Sequence, residues 1–248
     1  MDRLTLLGVK VDTLSIGELN HLVRRAINIE ENILIANHNL HSIYLYHHDE
    51  EMKAFYQKAD YIHIDGMPLV IWGRLLGYPL KRDQRVTYVD WIHPLMKMAE
   101  SEGFRVFYLG GKPGVAARAA EILCARYPAL QIQTYHGYFT EEENNVVLNK
   151  IRDFQPHILM VGMGMPRQEH WVVDNLENIT ANVILTSGAC FDYIAGVIPT
   201  PPRWMGRLGL EWLYRLFSEP RRLAKRYLLE PWALLPLAIN DILEKLRV

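Results

Sequence analysis

Short apolar runs rich in β-branched residues recur along the chain at residues 33–36, 61–64, 104–109, 131–135, 157–161 and 183–186. Each is four to six residues long and bounded by turn-forming residues, which predicts strands. Between most of them the apolar positions switch to helical spacing, as at residues 68–76, 115–126, 141–153 and 168–176. Thr140 stands ahead of Glu141, Glu142 and Glu143, a good cap for the third of these helices. Strands alternating with helices predict an α/β fold, a mainly parallel sheet with helices on both faces.

The pattern changes after Gly196. Pro199-Thr200-Pro201-Pro202 is followed by helical periodicity with no further strand signal, so the expected division is a body of residues 1–199 and an appendage of residues 200–248. Ser218-Glu219-Pro220 punctuates the appendage, because proline suits a first helical turn and breaks a helix interior. Leu208, Trp212, Leu216 and Phe217 recur at helical spacing beside Arg207 and Arg215, and Arg221, Arg222, Lys225 and Arg226 follow. A stripe of this kind either lies in a membrane interface or packs on the body with its arginines in water. Charge favours the first: residues 200–248 carry nine Lys/Arg against five Asp/Glu, and the body 18 against 23. A basic segment on an acidic body points to an anionic partner, either a membrane surface or a nucleic acid. The tail is rich in Leu and Trp and carries no nucleic-acid-binding motif, so an anionic membrane surface is expected and nucleic acid is not.

Composition narrows the classes further. With 248 residues, half of them apolar, the chain can bury a full core without disulfides or metals. Cys124 and Cys190 are far apart and show no metal-ligand spacing, which fits a reducing compartment. The segment from Met1 lacks a signal-peptide pattern, and the apolar stretch at residues 231–239 is far shorter than the roughly 20 residues that span a bilayer. A cytoplasmic protein that does not span the membrane is expected.

In open α/β sheets ligands sit beyond the carboxyl ends of the strands. The residues that fall there are Asn37 to Asn39, Asp65-Gly66, Gly110-Gly111, His136-Gly137-Tyr138, Gly162 to Gln168 and Ser187-Gly188. Three of these turns are glycine-rich and precede a helix, an arrangement that lets backbone N–H groups face a phosphate. The Gly110-Gly111-Lys112-Pro113-Gly114 turn matches neither GxGxxG nor GxxxxGK[ST], and a plain tight turn explains it equally. An NAD-dependent oxidoreductase or P-loop ATPase is therefore disfavoured. Asp65, at a strand end, could take a proton from an attacking hydroxyl or could cap the next helix. Asp192 could bind a base or ribose, or cap a turn. His38, His41, His47 and His48 show no metalloenzyme spacing and are expected on a polar helix face. No Asp-x-Asp occurs, so charge on a leaving diphosphate would be offset by backbone N–H groups, helix dipoles or arginine.

With these turns in hand, the chain resembles the WecG/TagA/CpsF family of glycosyltransferases nearly end to end. The carriers are Ala59-Asp60 to Asp65-Gly66-Met67-Pro68, Leu109-Gly110-Gly111 with Pro113-Gly114, Tyr127-Pro128, Gly137-Tyr138-Phe139, Val161-Gly162-Met163-Gly164-Met165-Pro166-Arg167-Gln168-Glu169, and Phe191-Asp192 with Ala195-Gly196. The most distinctive is the block from Gly209-Leu210-Glu211-Trp212 through Glu219-Pro220-Arg221-Arg222-Leu223. The resemblance implies a Rossmann-like core and an inverting, metal-independent transferase that needs no cofactor. Its substrates would be a UDP-sugar and an undecaprenyl-diphosphate-linked sugar, a polyprenyl-diphosphate acceptor met at the inner face of the cell membrane. Carried over by position, Asp65 is the base. Asn37, Asn39, Gly110, Gly111, Tyr138, Gly162, Gly164, Arg167, Gln168 and Asp192 are donor or acceptor contacts. From the charge of the tail itself, Arg207, Arg215, Arg221, Arg222 and Arg226 are expected to meet lipid diphosphate or membrane. Two departures bear on the donor sugar: Asn37 stands where Thr is frequent, and Thr200-Pro201-Pro202 where Arg-Ala-Pro is common. The oligomeric state, homo-oligomers included, stays open.

Overall fold

The computed structural model describes residues 2–247; the side chains of Arg203, Arg207 and Leu208 lie outside the described residues. The chain opens with two four-residue strands, β1 (Arg3–Leu6) and β2 (Val9–Asp12), which pair antiparallel. Leu7 and Gly8 between them both have positive φ, 52° and 75°, the backbone of a two-residue hairpin turn whose twist matches that of the strands. This hairpin was not among the expected strands. Its cue is weak, one Val-x-Val alternation beside a single Gly. Tertiary contacts hold it: buried Asp12 accepts from Arg3 Nε at 2.7 Å and from the backbone N–H of Ile62 at 2.7 Å.

Helix α1 (Ile16–Asn28) follows, with Ser15 and Glu18 forming a reciprocal capping box and Leu19, Val23, Ala26 and Ile27 buried on one face. Then come β3 (Ile33–His38), α2 (Leu40–His48), α3 (Glu50–Lys58), β4 (Tyr61–Ile64), α4 (Met67–Leu75) and α5 (Tyr88–Glu102). The second half runs β5 (Val106–Gly110), α6 (Val115–Arg126), β6 (Ile132–Tyr135), α7 (Glu141–Phe154), β7 (Ile158–Gly162), α8 (Arg167–Asn175), β8 (Val183–Thr186) and α9 (Cys190–Ile194). All six strands read from the sequence are present, with ends shifted by at most two residues. Among the described residues the sheet order is β1-β2-β4-β3-β8-β7-β5-β6, with every pair parallel except β1 and β2.

Every residue of β3, β5, β7 and β8 is buried, as expected for central parallel strands covered on both faces. One face packs on α1, α5, α6 and α9 through residues such as Leu19, Trp91, Leu123 and Phe191. The other packs on α3, α7 and α8 through Phe55, Val147 and Trp171.

No strand follows Thr186 among the described residues. After the irregular residues 199–202 come α10 (Arg203–Leu208), α11 (Glu211–Ser218), α12 (Pro220–Leu228), α13 (Glu230–Ala233) and α14 (Leu235–Leu246). The break at Ser218-Glu219-Pro220 separates α11 from α12. Polar bonds tie these helices to the body. Buried Asp241 accepts from the Leu7 backbone N–H at 2.7 Å and from Trp72 Nε1 at 2.8 Å. Glu230 meets His41 Nδ1 at 2.6 Å, and Arg85 Nη1 meets Glu211 at 3.1 Å. Among the described residues, no helix is long and apolar enough to cross a membrane.

Candidate active site

A cavity of about 580 Å³ opens beyond the carboxyl ends of β3, β4 and β8, where β3 and β8, far apart in the chain, lie side by side. Asn37, Asn39, Asp65, Thr186 and Gly188 line it from the body. Trp212, Arg215, Arg222, Arg226 and Tyr227 line it from the C-terminal helices, so α11 and α12 form its roof.

Asp65 directly follows β4. It does not cap α4, whose N-cap is Gly66 with no side-chain bond. It is half-buried in the cavity wall, and burial pushes its pKa up to about 6, from 3.8. A bond from Asn39 Nδ2 at 3.4 Å and the nearby Arg85 and Arg215 guanidiniums pull the other way. A carboxylate poised near 6 ionises at neutral pH yet retains affinity for a proton, which suits a general base.

Asn39 caps α2: its Oδ1 accepts from the backbone N–H groups of His41 and Ser42 at 3.0 and 3.1 Å. Its amide therefore points at Asp65 from a side chain already held by the helix. Arg226 Nη2 reaches the same Oδ1 at 3.5 Å. The Nε groups of Arg215 and Arg226 are buried without a partner. Nearby Arg215 and burial hold the Arg226 pKa below its ordinary value, with burial the larger cause. Two closely placed guanidiniums with unspent donors, above a carboxylate, are built to receive an anion.

Gln168 lines the cavity, although its side chain is already committed. Its Oε1 accepts from the backbone N–H groups of Gly164 and Gly188 at 3.2 and 3.1 Å, and its Nε2 donates to Glu169 at 2.7 Å. It thereby braces the two loops that wall the cavity. Glu169 is fully buried with Oε2 unpartnered, and burial raises its pKa to about 8, so it is protonated at neutral pH.

The structure gathers Asn37, Asn39, Asp65, Gly164, Gln168, Arg215, Arg222 and Arg226 around one cavity, and does not place Gly110, Gly111, Gly162, Tyr138, Arg167, Asp192 or Arg221 in its wall. The Gly111 N–H donates to the Gly162 carbonyl at 3.2 Å, and the Gly137 N–H to the Gly111 carbonyl at 2.9 Å. These amides, with those of Gly164 and Gly188, donate inside the protein. Close packing is the reason: a Cβ on Gly162 would run into the Tyr108 hydroxyl and the Gly188 carbonyl, and one on Gly110 into the Gly162 carbonyl. Tyr138 is exposed, with the Arg167 guanidinium 5.7 Å from its ring. Asp192 lies in the first turn of α9, its pKa raised by burial and lowered by Arg222 and Lys112, which places it between the Gly110 turn and α12. The Arg207 side chain lies outside the described residues.

The histidine expectation needs correction. His38 ends β3, fully buried and stacked on Tyr56 at 3.9 Å, because β3 runs two residues further than its apolar run. His41 is half-buried against Glu230, and His47 and His48 end α2 on its exposed side. Among the described residues no three His, Cys, Asp or Glu side chains converge into a metal-holding group.

A family model for the WecG/TagA/CpsF glycosyl transferases matches residues 4–248. The chain belongs to this family. It is a glycosyltransferase of cell-surface polysaccharide synthesis, an activity that brings a sugar donor and an acceptor together. For a WecG/TagA/CpsF transferase, sequence reasoning left many wall residues out of its site list, Arg85, Tyr88 and Glu211 among them. Arg85 and Tyr88 arrive because the segment after β4 bridges back to it, Ile64 with Arg85, before Thr87 caps α5. The only cue was the Thr87-x-x-Asp90 spacing, which marks a helix start and says nothing about a cavity.

Proposed function

We propose that this enzyme transfers a hexose or N-acetylhexosamine-type sugar from a UDP-sugar to an undecaprenyl-diphosphate-linked acceptor, with inversion and without a metal. The observation that carries the reading is Asp65, its pKa lifted to about 6, at the base of a cavity roofed by Arg215 and Arg226. In this reading the acceptor hydroxyl oxygen bonds to the anomeric carbon and passes its proton to Asp65. The bond from that carbon to the UDP oxygen breaks from the opposite face, and its electron pair departs on the diphosphate. The arginines offset the charge that develops there. Asn39 holds the carboxylate by a bond from its amide.

A peripheral position on the inner face of the cell membrane is part of the proposal. It is supported by the apolar surface of the C-terminal helices, where Trp204, Phe217, Leu229, Trp232, Ile239 and Leu246 are all more than half exposed. Exposed tryptophans and leucines in the same C-terminal region as the exposed Arg221 and Lys225 suit an anionic leaflet. An acceptor anchored there would reach the cavity past the α11 and α12 roof.

The test is transfer by the purified full chain from UDP-glucose, UDP-N-acetylmannosamine and an acidic UDP-sugar to a short-chain polyprenyl-diphosphate-sugar, with product mass and anomeric configuration measured. One donor is expected to dominate and to give the opposite anomer. No product with any donor would overturn the substrate assignment, and a retained anomer would overturn inversion.

A further inference from the structure

The cavity wall holds a buried tyrosine that the mechanism above does not use. Tyr88, the first residue of α5, is 7 % exposed, and its hydroxyl has no hydrogen-bond partner. Its ring is well packed, 5.4 Å from Trp91 and 6.1 Å from His63 between ring centroids. Burial holds the phenol far above its ordinary pKa, with Cys190, Asp65 and Glu169 adding to the effect, so it stays a neutral O–H donor at any working pH.

A second orphan stands close by. Asn37 is 3 % exposed, donates through Nδ2 to the Thr186 carbonyl at 3.0 Å, and leaves Oδ1 unpartnered. Asn37 is opposite His63 in the β3–β4 register, so their side chains leave the sheet on the same face. Asp65 follows His63 by two residues, and Tyr88 packs against His63. Both orphans line the same cavity as Asp65.

Buried polar atoms in folded proteins nearly always find partners, and one left unmet carries the full cost of its lost hydration. Asn37 offers an acceptor and Tyr88 a donor, the complement of a hydroxyl, which gives one hydrogen bond and takes another. We propose that the Tyr88 hydroxyl and Asn37 Oδ1 together read one hydroxyl of the sugar ring held over Asp65, making Tyr88 a specificity-determining contact of the transfer reaction. The inference rests on the transfer reading of this cavity.

A packing role and a recognition role predict opposite outcomes for Tyr88→Phe, which keeps the ring and removes only the oxygen. If the hydroxyl waits for substrate, the variant loses nothing in the free protein and its Tm is unchanged or raised. Its kcat/KM falls about tenfold or more, the scale of one lost hydrogen bond to a buried partner. Deoxy analogues of the donor and acceptor sugars, assayed one position at a time, should include one that slows the wild type as much as the substitution does and slows the variant no further. A Tm lowered by several degrees would mean that the hydroxyl is already satisfied in the free protein, and would overturn the proposal. So would a variant that turns over like the wild type. Wild-type turnover reports separately on the transfer reading. If the wild type transfers nothing, Tyr88 is judged by thermal stabilisation with the same UDP-sugars, where equal stabilisation of both proteins, or of neither, rejects it.

Discussion

Lowering the pH from about 7 to about 5 is expected to cost this enzyme most of its activity through a single group. Asp65 serves as base only when ionised, and its pKa of about 6 means that about nine-tenths is ionised at pH 7 and about one-tenth at pH 5. The acidic limb of kcat/KM, which reports the free enzyme, should therefore fall nearly tenfold over those two pH units. The causes of the shift make a sharper test. Burial raises the pKa, while the Asn39 bond and the Arg85 and Arg215 guanidiniums restrain it. Arg215→Gln removes one restraint, so the limb should move to higher pH in addition to any loss from the missing contact with an anion. Asp65→Asn should abolish the limb and lower transfer by about a hundredfold or more while the fold and UDP binding persist, the scale of losing a general base. The assay is UDP release in the presence of acceptor, from about pH 5 to about pH 8, with circular dichroism confirming that each protein stays folded. A wild-type limb near pH 4, the range of an ordinary carboxylate, would refute the argument, as would a limb that survives in Asp65→Asn.

Glu169 supplies a stability counterpart. Its pKa is raised from 4.5 unfolded to about 8 folded, so the stability associated with its proton is full below about 4.5 and is lost as pH rises through about 8. Between pH 4.5 and 7 the wild type should lose on the order of 3 kcal/mol that Glu169→Gln does not, read as a flatter dependence of urea midpoint on pH; parallel dependences would reject it. Transfer should persist in excess EDTA, and activity that vanished with chelator and returned with magnesium or manganese would contradict metal independence. Truncation near residue 199 should abolish sedimentation with anionic liposomes and reduce transfer to lipid-linked acceptor, an expectation defeated by a truncated chain that binds and turns over like the full one. Replacing Arg215 and Arg222 with Gln should reduce transfer more than liposome binding if the pair grips diphosphate, and both equally if it only touches the leaflet.

The alternation of strands and helices was legible in the chain because central parallel strands must be apolar on both faces, and the runs of β5, β7 and β8 are buried throughout. Local chemistry also settled the α11–α12 break, where Pro220 ends one helix and begins another, and the ordered blocks from Ala59 to Leu223 carried the family. What periodicity could not show was anything made by contacts between distant segments. The β1–β2 hairpin has too few residues to signal itself and depends on Asp12 reaching Arg3 and Ile62. The crowding at the glycines of positions 110 and 162, whose neighbours leave no room for a side chain, is of this kind. Nor did the apolar C-terminal stripe disclose that Trp212 faces a cavity. The unmet hydroxyl of Tyr88 and the raised pKa values of Asp65 and Glu169 belong to the same class. Hydration is lost only when remote elements close around a group, so sequence determines which group is present and the tertiary fold decides whether it is buried, paired or left poised for a ligand.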